Sequence, residues 1–262
     1  MSLTPKRAEE LEAFARLLEI MDELREKCPW DRKQTLESLR TLTIEETYEL
    51  GDAILDGDLD AVRKELGDLL LHIVFYAKIG SEKEAFDIAD VARGICDKLI
   101  RRHPHIYGEI SVRDEQEVKR NWERIKLKEG RRSVLEGVPR SLPAMVKAQR
   151  IQEKVAGVGF DWANATAVME KVEEELAELK AALQAKEELA IEAEFGDFLF
   201  SLINYARFVK VNPENALERT NAKFIKRFSY IENQARKKGV SIQDLSLEEM
   251  DVYWEEAKSR EG

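Results

Sequence analysis

Apolar residues recur at steps of three and four positions along most of the chain, and no stretch keeps the every-second-residue alternation of a strand. Read with its proline, glycine and capping breaks, the first half predicts helices over 5–27, 35–55, 60–79, 82–102 and 114–128. Ser81 is expected to cap the fourth of these. The second half predicts helices over 145–155, 166–185, 188–210, 213–238 and 246–258. We therefore expect an all-α protein made of helical bundles.

The two halves carry the same pattern. The segment ELGDLLLHIVFYA begins at Glu65 and recurs as EFGDFLFSLINYA from Glu194, an offset of 129 residues. IEETYEL recurs as VEEELAEL at the same offset, DKLIRRH as AKFIKRF, and EQEVKRNWERIKLKEG as LEEMDVYWEEAKSREG. Four blocks in one order indicate an internal duplication of one helical domain.

The densest cluster of helix-breaking residues in the chain lies between the two copies. The segment EGRRSVLEGVPRSLPA holds Gly130, Gly137, Pro139 and Pro143. We expect the boundary there, with an N-terminal domain over 1–129, a linker over 130–143 and a C-terminal domain over 144–262.

Composition narrows the class of protein. The chain has 262 residues, of which 36% are charged, and a net charge of −10, which argues against non-specific nucleic-acid or anionic-membrane binding. Its longest apolar run, 66–79, is too short to span a bilayer, and its first residues lack the apolar core of a signal peptide. Two cysteines argue against a disulfide framework. We expect a cytoplasmic protein without nucleic-acid or membrane partners.

Two acidic residues interrupt an apolar helix in the second half. Glu194 and Asp197 are three apart and so project from one side of a helical turn, where burial would be costly without a cation. If the preceding helix packs antiparallel, its acids Glu174, Glu175 and Glu178 would converge on the same place. A single Glu-x-x-Glu pair usually lies on a solvated helix face. Because the whole arrangement occurs in both halves, we favour a metal site. Ligands that are all carboxylates favour Mg²⁺ or Mn²⁺.

A glycine precedes the aspartate of each copy, Gly67 before Asp68 and Gly196 before Asp197. Because glycine lowers helix propensity, we expect it to serve close approach of a neighbouring element at this turn.

Basic and aromatic residues complete the pattern. Lys223 and Arg227 are four apart and share a helix face. Their side chains could bind phosphates, or the face could be an ordinary solvent-exposed basic surface. Trp254 and Trp122 could stack on a base, or anchor a terminal helix to the core. Polyphosphate suits carboxylate-bound Mg²⁺, because Mg²⁺ commonly completes its coordination with phosphate oxygens and water.

EExxE followed by ExxD and then KxxxRF resembles the MazG-type nucleoside triphosphate pyrophosphohydrolases of the all-α NTP pyrophosphatase superfamily. CPWDRKQTLESL, KLIRRHPHIYG and VGFDW are similar to its two-domain bacterial members, and the likeness covers nearly the whole chain. The resemblance implies Mg²⁺-dependent hydrolysis of nucleoside triphosphates, ATP among them, to a nucleoside monophosphate and pyrophosphate. It also implies a homodimer and a role in house-cleaning or nucleotide-pool control.

The resemblance assigns residues in the second half, which we favour as the catalytic one. Its metal ligands would be Glu175, Glu178, Glu194 and Asp197. Its catalytic residues would be Glu174 and Glu175. Its substrate contacts would be Lys171, Glu174, Lys223, Arg227 and Trp254.

The first half matches less completely. Its metal ligands would be Glu46, Glu49, Glu65 and Asp68, and its substrate contacts Glu45, Lys98, Arg102 and Trp122. His103 follows Arg102 where the second half has an aromatic residue, Phe228. Two alternatives remain at this point: a pyrophosphohydrolase selective for one nucleotide such as dUTP, and a non-catalytic helical scaffold for a protein partner.

Overall fold

A computed structural model describes residues 4–129 and 133–260, without the side chains of residues 115, 116, 119, 120, 123, 127 and 128. The described residues contain helices and no strands, so the predicted all-α class is confirmed. The chain divides into two compact units, Met1–Val112 and Arg113–Gly262. The domain limits 1–129 and 144–262, with a linker over 130–143, stay a prediction, and residues 130–132 lie outside the described part.

Unit 1 contains five helices in its described part. They are α1 (Pro5–Lys27), α2 (Leu36–Asp56), α3 (Leu59–Glu82), α4 (Ile88–Arg102) and the short α5 (Pro104–Tyr107), with a 3₁₀ turn at Asp31–Lys33. Helices α2 and α3 pack extensively against each other as an antiparallel hairpin, and α1 packs on α3.

Unit 2 contains six helices in its described part. They are α6 (Glu115–Lys128), α7 (Ala144–Ala156), α8 (Ala165–Ala185), α9 (Glu188–Phe208), α10 (Pro213–Lys238) and α11 (Leu247–Ser259), with a 3₁₀ turn at Ile242–Asp244. The α8/α9 hairpin is the most extensive packing in the molecule, α7 lies on α9, and α11 packs on α10.

The predicted start of the fourth helix is wrong. Ser81 lies inside α3, which continues to Glu82, and α4 begins only after Asp87. Asp87 accepts a hydrogen bond from the backbone N–H of Asp90 and forms a capping box, which fixes the start of α4. Glu84, between the two helices, has a φ of 54°, a left-handed conformation that ends the helical run.

The duplicated hairpins match residue by residue. Thr35 caps α2 and Asn164 caps α8, each accepting a hydrogen bond from the third backbone N–H of its helix. The first residues of α3 and α9, Leu59 and Glu188, are also 129 residues apart. The register of the two hairpins is therefore the same in both units.

Arg25 ties together three parts of unit 1. Its guanidinium donates to Glu82 Oε1 at 2.9 Å on α3, and to the carbonyl oxygens of Asp31 and Gln34 in the loop after α1. The hydrogen bonds to Arg25 hold the pKa of Glu82 below its usual range. These bonds orient the loop that leads into α2.

Helices α4 and α10 keep a large apolar face in solvent. Four of the five large aliphatic side chains of α4 are at least 40% exposed: Val91, Ile95, Leu99 and Ile100. On α10 the exposed large apolar residues are Leu217, Phe224, Ile225 and Phe228. Surface of this extent on a helix is typical of an interface with another chain. None of the described helices combines the length and the hydropathy of a membrane-spanning segment.

We expect Glu82→Gln to lower the melting temperature at pH 7 by an amount that shrinks as the pH falls. Because its folded-state pKa is depressed, Glu82 stabilises the fold above its unfolded pKa near 4.5 and loses that contribution as the pH falls through the folded pKa. Since Glu82 is 37% exposed, the effect at pH 7 should be about 1 kcal/mol or less.

Thermal unfolding followed by circular dichroism between pH 7 and pH 3.5 measures this difference. Glu23→Gln, which removes a solvent-exposed pair with Lys27, is the matched control and should leave the melting temperature unchanged. An equal deficit for Glu82→Gln at both ends of the pH range would contradict the role of the ionised carboxylate.

Candidate active site between α8 and α9

The α8/α9 hairpin brings together three of the four predicted metal ligands. Carboxylate oxygens of Glu175, Glu178 and Glu194 lie within 4.8 Å of one another. Glu175 is only 7% exposed, since it points from α8 into the packing with α9. Burial, followed by the charges of Glu175 and Glu194, raises the pKa of Glu178. A divalent cation would offset both the repulsion between these carboxylates and the free-energy cost of burying them.

The fourth predicted ligand, Asp197, lies beside this cluster. Asp197 lines a cavity of about 180 Å³ together with Lys171 and Glu175, so it faces the same space. Its carboxylate is not among the three that converge within 4.8 Å. The structure thus places Asp197 at the edge of the acidic set.

Lys171 supplies a cation from within the chain. Its ammonium contacts Glu175 Oε1 at 2.8 Å and Glu174 Oε1 at 2.9 Å, one helical turn away on α8. Hydrogen bonds to these two carboxylates raise the pKa of Lys171. One positive charge against five acids leaves the site negative and fit for further cations. The predicted proximity of Lys171 and Glu174 to the cluster is therefore seen in the structure.

The predicted phosphate-binding residues form a separate group on α10 and α11. The Arg227 guanidinium lies 5.4 Å from the ring centroid of Trp254, and the Phe224 ring lies 5.1 Å from the same ring. Lys223 is exposed on α10. None of Lys223, Arg227 and Trp254 lines the cavity beside the carboxylates or its larger neighbour in the described part of the chain.

The first half forms an equivalent acidic cluster. Carboxylate oxygens of Glu46, Glu49 and Glu65 converge within 4.8 Å. Burial raises the pKa of Glu46 and of Glu49, with the charges of neighbouring acids, Asp68 among them, adding to it. Carboxylates converge in both halves, so the duplication has preserved this geometry.

The remaining predicted residues of the first half lie outside that cluster. Glu45 is exposed on α2 and Lys98 on α4, and Arg102 is half-buried at the end of α4. Trp122 is half-buried on α6, which belongs to unit 2. Their assignment as substrate contacts stays a prediction.

The expected role of the glycines is wrong within this chain. Outside its own helix backbone, a Cβ atom built on Gly67 or Gly196 would meet no heavy atom within 4 Å among the described residues. No helix in the described part of the chain approaches either position closely, so the turn before Asp68 and Asp197 faces open space.

A larger cavity, missed from the sequence, adjoins the carboxylates in unit 2. It has a volume of about 500 Å³ and shares Trp162, Phe200 and Asn204 with the smaller cavity that Glu175 lines. Its other lining residues include Gln152 on α7 and Phe160 in the α7/α8 loop. The signal available in the sequence was the pair of aromatic residues in the GVGFDW break, where a polar loop is usual.

The Asp161–Arg207 ion pair lines the larger cavity. Arg207 donates to Asp161 Oδ2 at 2.8 Å and to Asn204 Oδ1 at 2.9 Å, joining the α7/α8 loop to α9. This bidentate pair fixes the loop that carries Phe160 and Trp162.

Unit 1 has different residues at the positions that line these cavities. The 129-residue register of the hairpins pairs Lys171 with Leu42 and Asn204 with Phe75. Phe75 is 2% exposed and belongs to the hydrophobic core with Met21 and Leu39. An apolar side chain therefore packs in unit 1 where unit 2 has a polar group beside its cavities.

Comparison with known proteins connects this geometry to a family. The family model described as the MazG nucleotide pyrophosphohydrolase domain matches the chain twice, over residues 34–107 and 163–231. Each match contains one of the α-helical hairpins with its acidic cluster.

Relatives match over nearly the whole chain. A Thermotoga maritima protein named nucleoside triphosphate pyrophosphohydrolase/pyrophosphatase MazG is 46% identical over 94% of this chain and 95% of its own length. The Escherichia coli K12 nucleoside triphosphate pyrophosphohydrolase is 42% identical over 94% of this chain and 97% of its own length. An uncharacterised Bacillus subtilis protein, YabN, is 46% identical over 95% of this chain but only 52% of its own length. With two copies of the domain and full-length relatives of this identity, the chain belongs to the MazG nucleotide pyrophosphohydrolase family, as its motifs predicted.

Proposed function

We propose that this chain hydrolyses nucleoside triphosphates to a nucleoside monophosphate and pyrophosphate at the α8/α9 hairpin of its second half, with Mg²⁺ as cofactor. The predicted reaction class is confirmed by the family to which the chain belongs. The observation that carries the proposed site is the convergence of Glu175, Glu178 and Glu194 within 4.8 Å beside two cavities.

The donor set fits a hard divalent cation. Oxygen ligands from carboxylates suit Mg²⁺, and Mn²⁺ can replace it, whereas a soft metal would need sulfur or imidazole. Glu175, Glu178 and Glu194 would hold the cation, with Asp197 joining from the edge of the cavity. When bound, Mg²⁺ supplies charge neutralisation for the triphosphate and a Lewis acid at the phosphoryl group.

The residues around the carboxylates have complementary tasks in this proposal. Lys171 forms ion pairs with Glu174 and Glu175 and would also bind a phosphate oxygen of the substrate. Glu174 is exposed and pairs with Lys171, which suits a base that orients an attacking water. Lys223 and Arg227 would neutralise the departing pyrophosphate.

The second half is the catalytic one in our proposal. Lys171 has no counterpart in unit 1, where Leu42 stands, and the polar Asn204 is replaced by the buried Phe75. Unit 1 keeps Glu46, Glu49 and Glu65 together but has fewer groups for a nucleotide, so we propose a secondary cation site there, with Asp68 at its edge.

We propose that the active enzyme is a homodimer in which a second copy completes the site. Within one chain, α10 packs on α7 and α11, and Lys223 and Arg227 line neither cavity. The same helix exposes Phe224, at 57%, and Ile225, at 63%, and the open space at Gly196 leaves room for a neighbouring element. Burying these apolar side chains would place the α10 cations of one copy near the carboxylates of the other.

We further propose that the enzyme acts in the cytoplasm on the nucleotide pool. Trp254 lies against Arg227 and so would reach the nucleotide with it. Trp122, Lys98, Arg102 and Glu45 would have the equivalent, weaker roles in the first half.

We expect Glu178→Ala to lower pyrophosphate release from nucleoside triphosphates by at least about 100-fold at saturating Mg²⁺, because each lost ligand removes several kcal/mol of charge stabilisation. Glu49→Ala, at the matching position of unit 1, should keep most of the activity. Pyrophosphate release coupled to a colour reaction gives both rates.

Glu188→Ala removes an exposed acid from the start of α9 and is the control, which should behave as the wild type. If Glu49→Ala alone silences turnover, the catalytic half is assigned wrongly. Full activity in the double variant of Glu49 and Glu178 would remove the carboxylate site altogether.

We expect two inactive variants, Asp197→Ala and Arg227→Ala, to recover activity when their subunits are mixed. In a mixed dimer one site has both its carboxylates and its basic helix intact, so up to about half of the wild-type activity per mixed dimer should return. Mixing after mild dissociation, with size-exclusion chromatography to follow the dimer, measures it. Asp197→Ala mixed with Glu178→Ala is the control and should stay inactive, since both changes lie in the same cluster. No recovery in the first mixture would contradict completion of the site by a second copy.

A further inference from the structure

The larger cavity of unit 2 contains a buried acceptor without a partner. Gln152 on α7 is 4% exposed and lines the cavity, and its Nε2 donates to the Phe200 carbonyl oxygen at 2.8 Å. That bond fixes the orientation of the amide, so the group left over is Oε1. Oε1 has no hydrogen-bond partner in the described part of the chain. A buried acceptor left in this way is rare and is a place where a ligand N–H gains affinity.

The walls of the cavity suit a planar heterocycle. Phe160, Trp162 and Phe200 line it, and they keep 80%, 45% and 42% of their surface exposed. Aromatic rings left open to solvent around a cavity of about 500 Å³ match the size and lining of small-molecule sites. Stacking on such rings tolerates any base, so a polar group is needed to tell one base from another.

The cavity is continuous with the proposed cation site. Trp162, Phe200 and Asn204 line both cavities, and the smaller one ends at Lys171, Glu175 and Asp197. A molecule with an anionic tail at the carboxylates and a planar end in the larger cavity has the shape of a nucleotide. Asn204, at the junction, would lie near the sugar.

From these contacts we propose that the larger cavity holds the base of the nucleotide, and that Gln152 Oε1 selects bases with an exocyclic amino group at the edge that enters. Adenine and cytosine present an N–H donor there, whereas a base with a carbonyl at that position brings an acceptor against an acceptor. The Nε2 bond to Phe200 prevents the amide from turning to offer a donor instead. This inference rests on the proposed function and adds the substrate class of that site.

In unit 1 the hairpin positions that line the cavity in unit 2 carry different residues. The equivalents of Phe200 and Asn204 there are Leu71 and Phe75, which belong to or pack on the core. The wall that Phe200 and Asn204 give the cavity is thus specific to the second half, which agrees with the proposed division of roles.

The test compares ATP with purine riboside 5′-triphosphate, which lacks only the exocyclic amino group. We expect the wild type to favour ATP by roughly five- to tenfold in kcat/KM, since one net hydrogen bond is lost. The same ratio is expected in Kd, measured calorimetrically with Mg²⁺ and the α,β-methylene analogues of the two nucleotides, which the proposed reaction does not split. Gln152→Met keeps the side-chain length but removes the acceptor, so the preference should fall to about one. Gln149→Met, on the same helix but outside both cavities, should keep the wild-type ratio.

The outcomes distinguish failure of the role assigned to Gln152 from failure of the proposed hydrolysis. A wild-type ratio near one in both measurements overturns the assignment of Gln152 without any variant, even if turnover is normal. An unchanged preference in Gln152→Met, with circular dichroism showing a folded protein, overturns it equally. Absence of pyrophosphate release from either nucleotide would instead defeat the proposed function, and the ratio of the two Kd values would still decide whether the cavity reads the amino group.

Discussion

Repulsion among carboxylates held by the α8/α9 hairpin is the constraint on which the site depends. The packing of the two helices places Glu175 almost out of solvent and sets Glu178 and Glu194 against it. Burial, followed by the like charges of Glu175 and Glu194, raises the pKa of Glu178. The fold tolerates the arrangement because Lys171 meets two of the acids and because the helices gain from extensive apolar contact elsewhere. The site thus keeps an excess of negative charge, which a cation and a basic helix from outside the hairpin can neutralise.

Much of this could be predicted from the sequence because it depends on local patterns. Periodicity of three and four gave the helices, and the 129-residue repeat gave the paired hairpins and their acids. The predicted break between α3 and α4 is wrong, since Ser81 and Asp87 are both good capping residues with an acid three positions later. The structure forms the capping box at Asp87 and Asp90. The cavity beside the site was not predicted. Glutamine is common in helices, so the sequence does not single out Gln152. Its proposed role depends on its burial and on its hydrogen bond to the carbonyl oxygen of Phe200, 48 positions later.

The two halves show how a duplicated fold separates cation binding from substrate binding. Both hairpins keep three converging carboxylates, because the register of the helices fixes them. Around that constant feature, unit 1 places Leu42 and Phe75 where unit 2 places Lys171 and Asn204. Apolar replacement of groups beside a cavity favours a denser core. Unit 1 has therefore gained packing at the positions where unit 2 keeps room for a ligand.

The equal spacing of the hairpins has a practical consequence for engineering. The segment from Thr35 to the start of α3 in unit 1 has the same length as the segment from Asn164 to the start of α9 in unit 2. A segment can consequently be transplanted from one half to the other without inserting or deleting a residue. Chimeras of this kind let the part of the cavity wall that the α8/α9 hairpin provides be rebuilt inside unit 1, and so convert the duplication itself into a set of design variants.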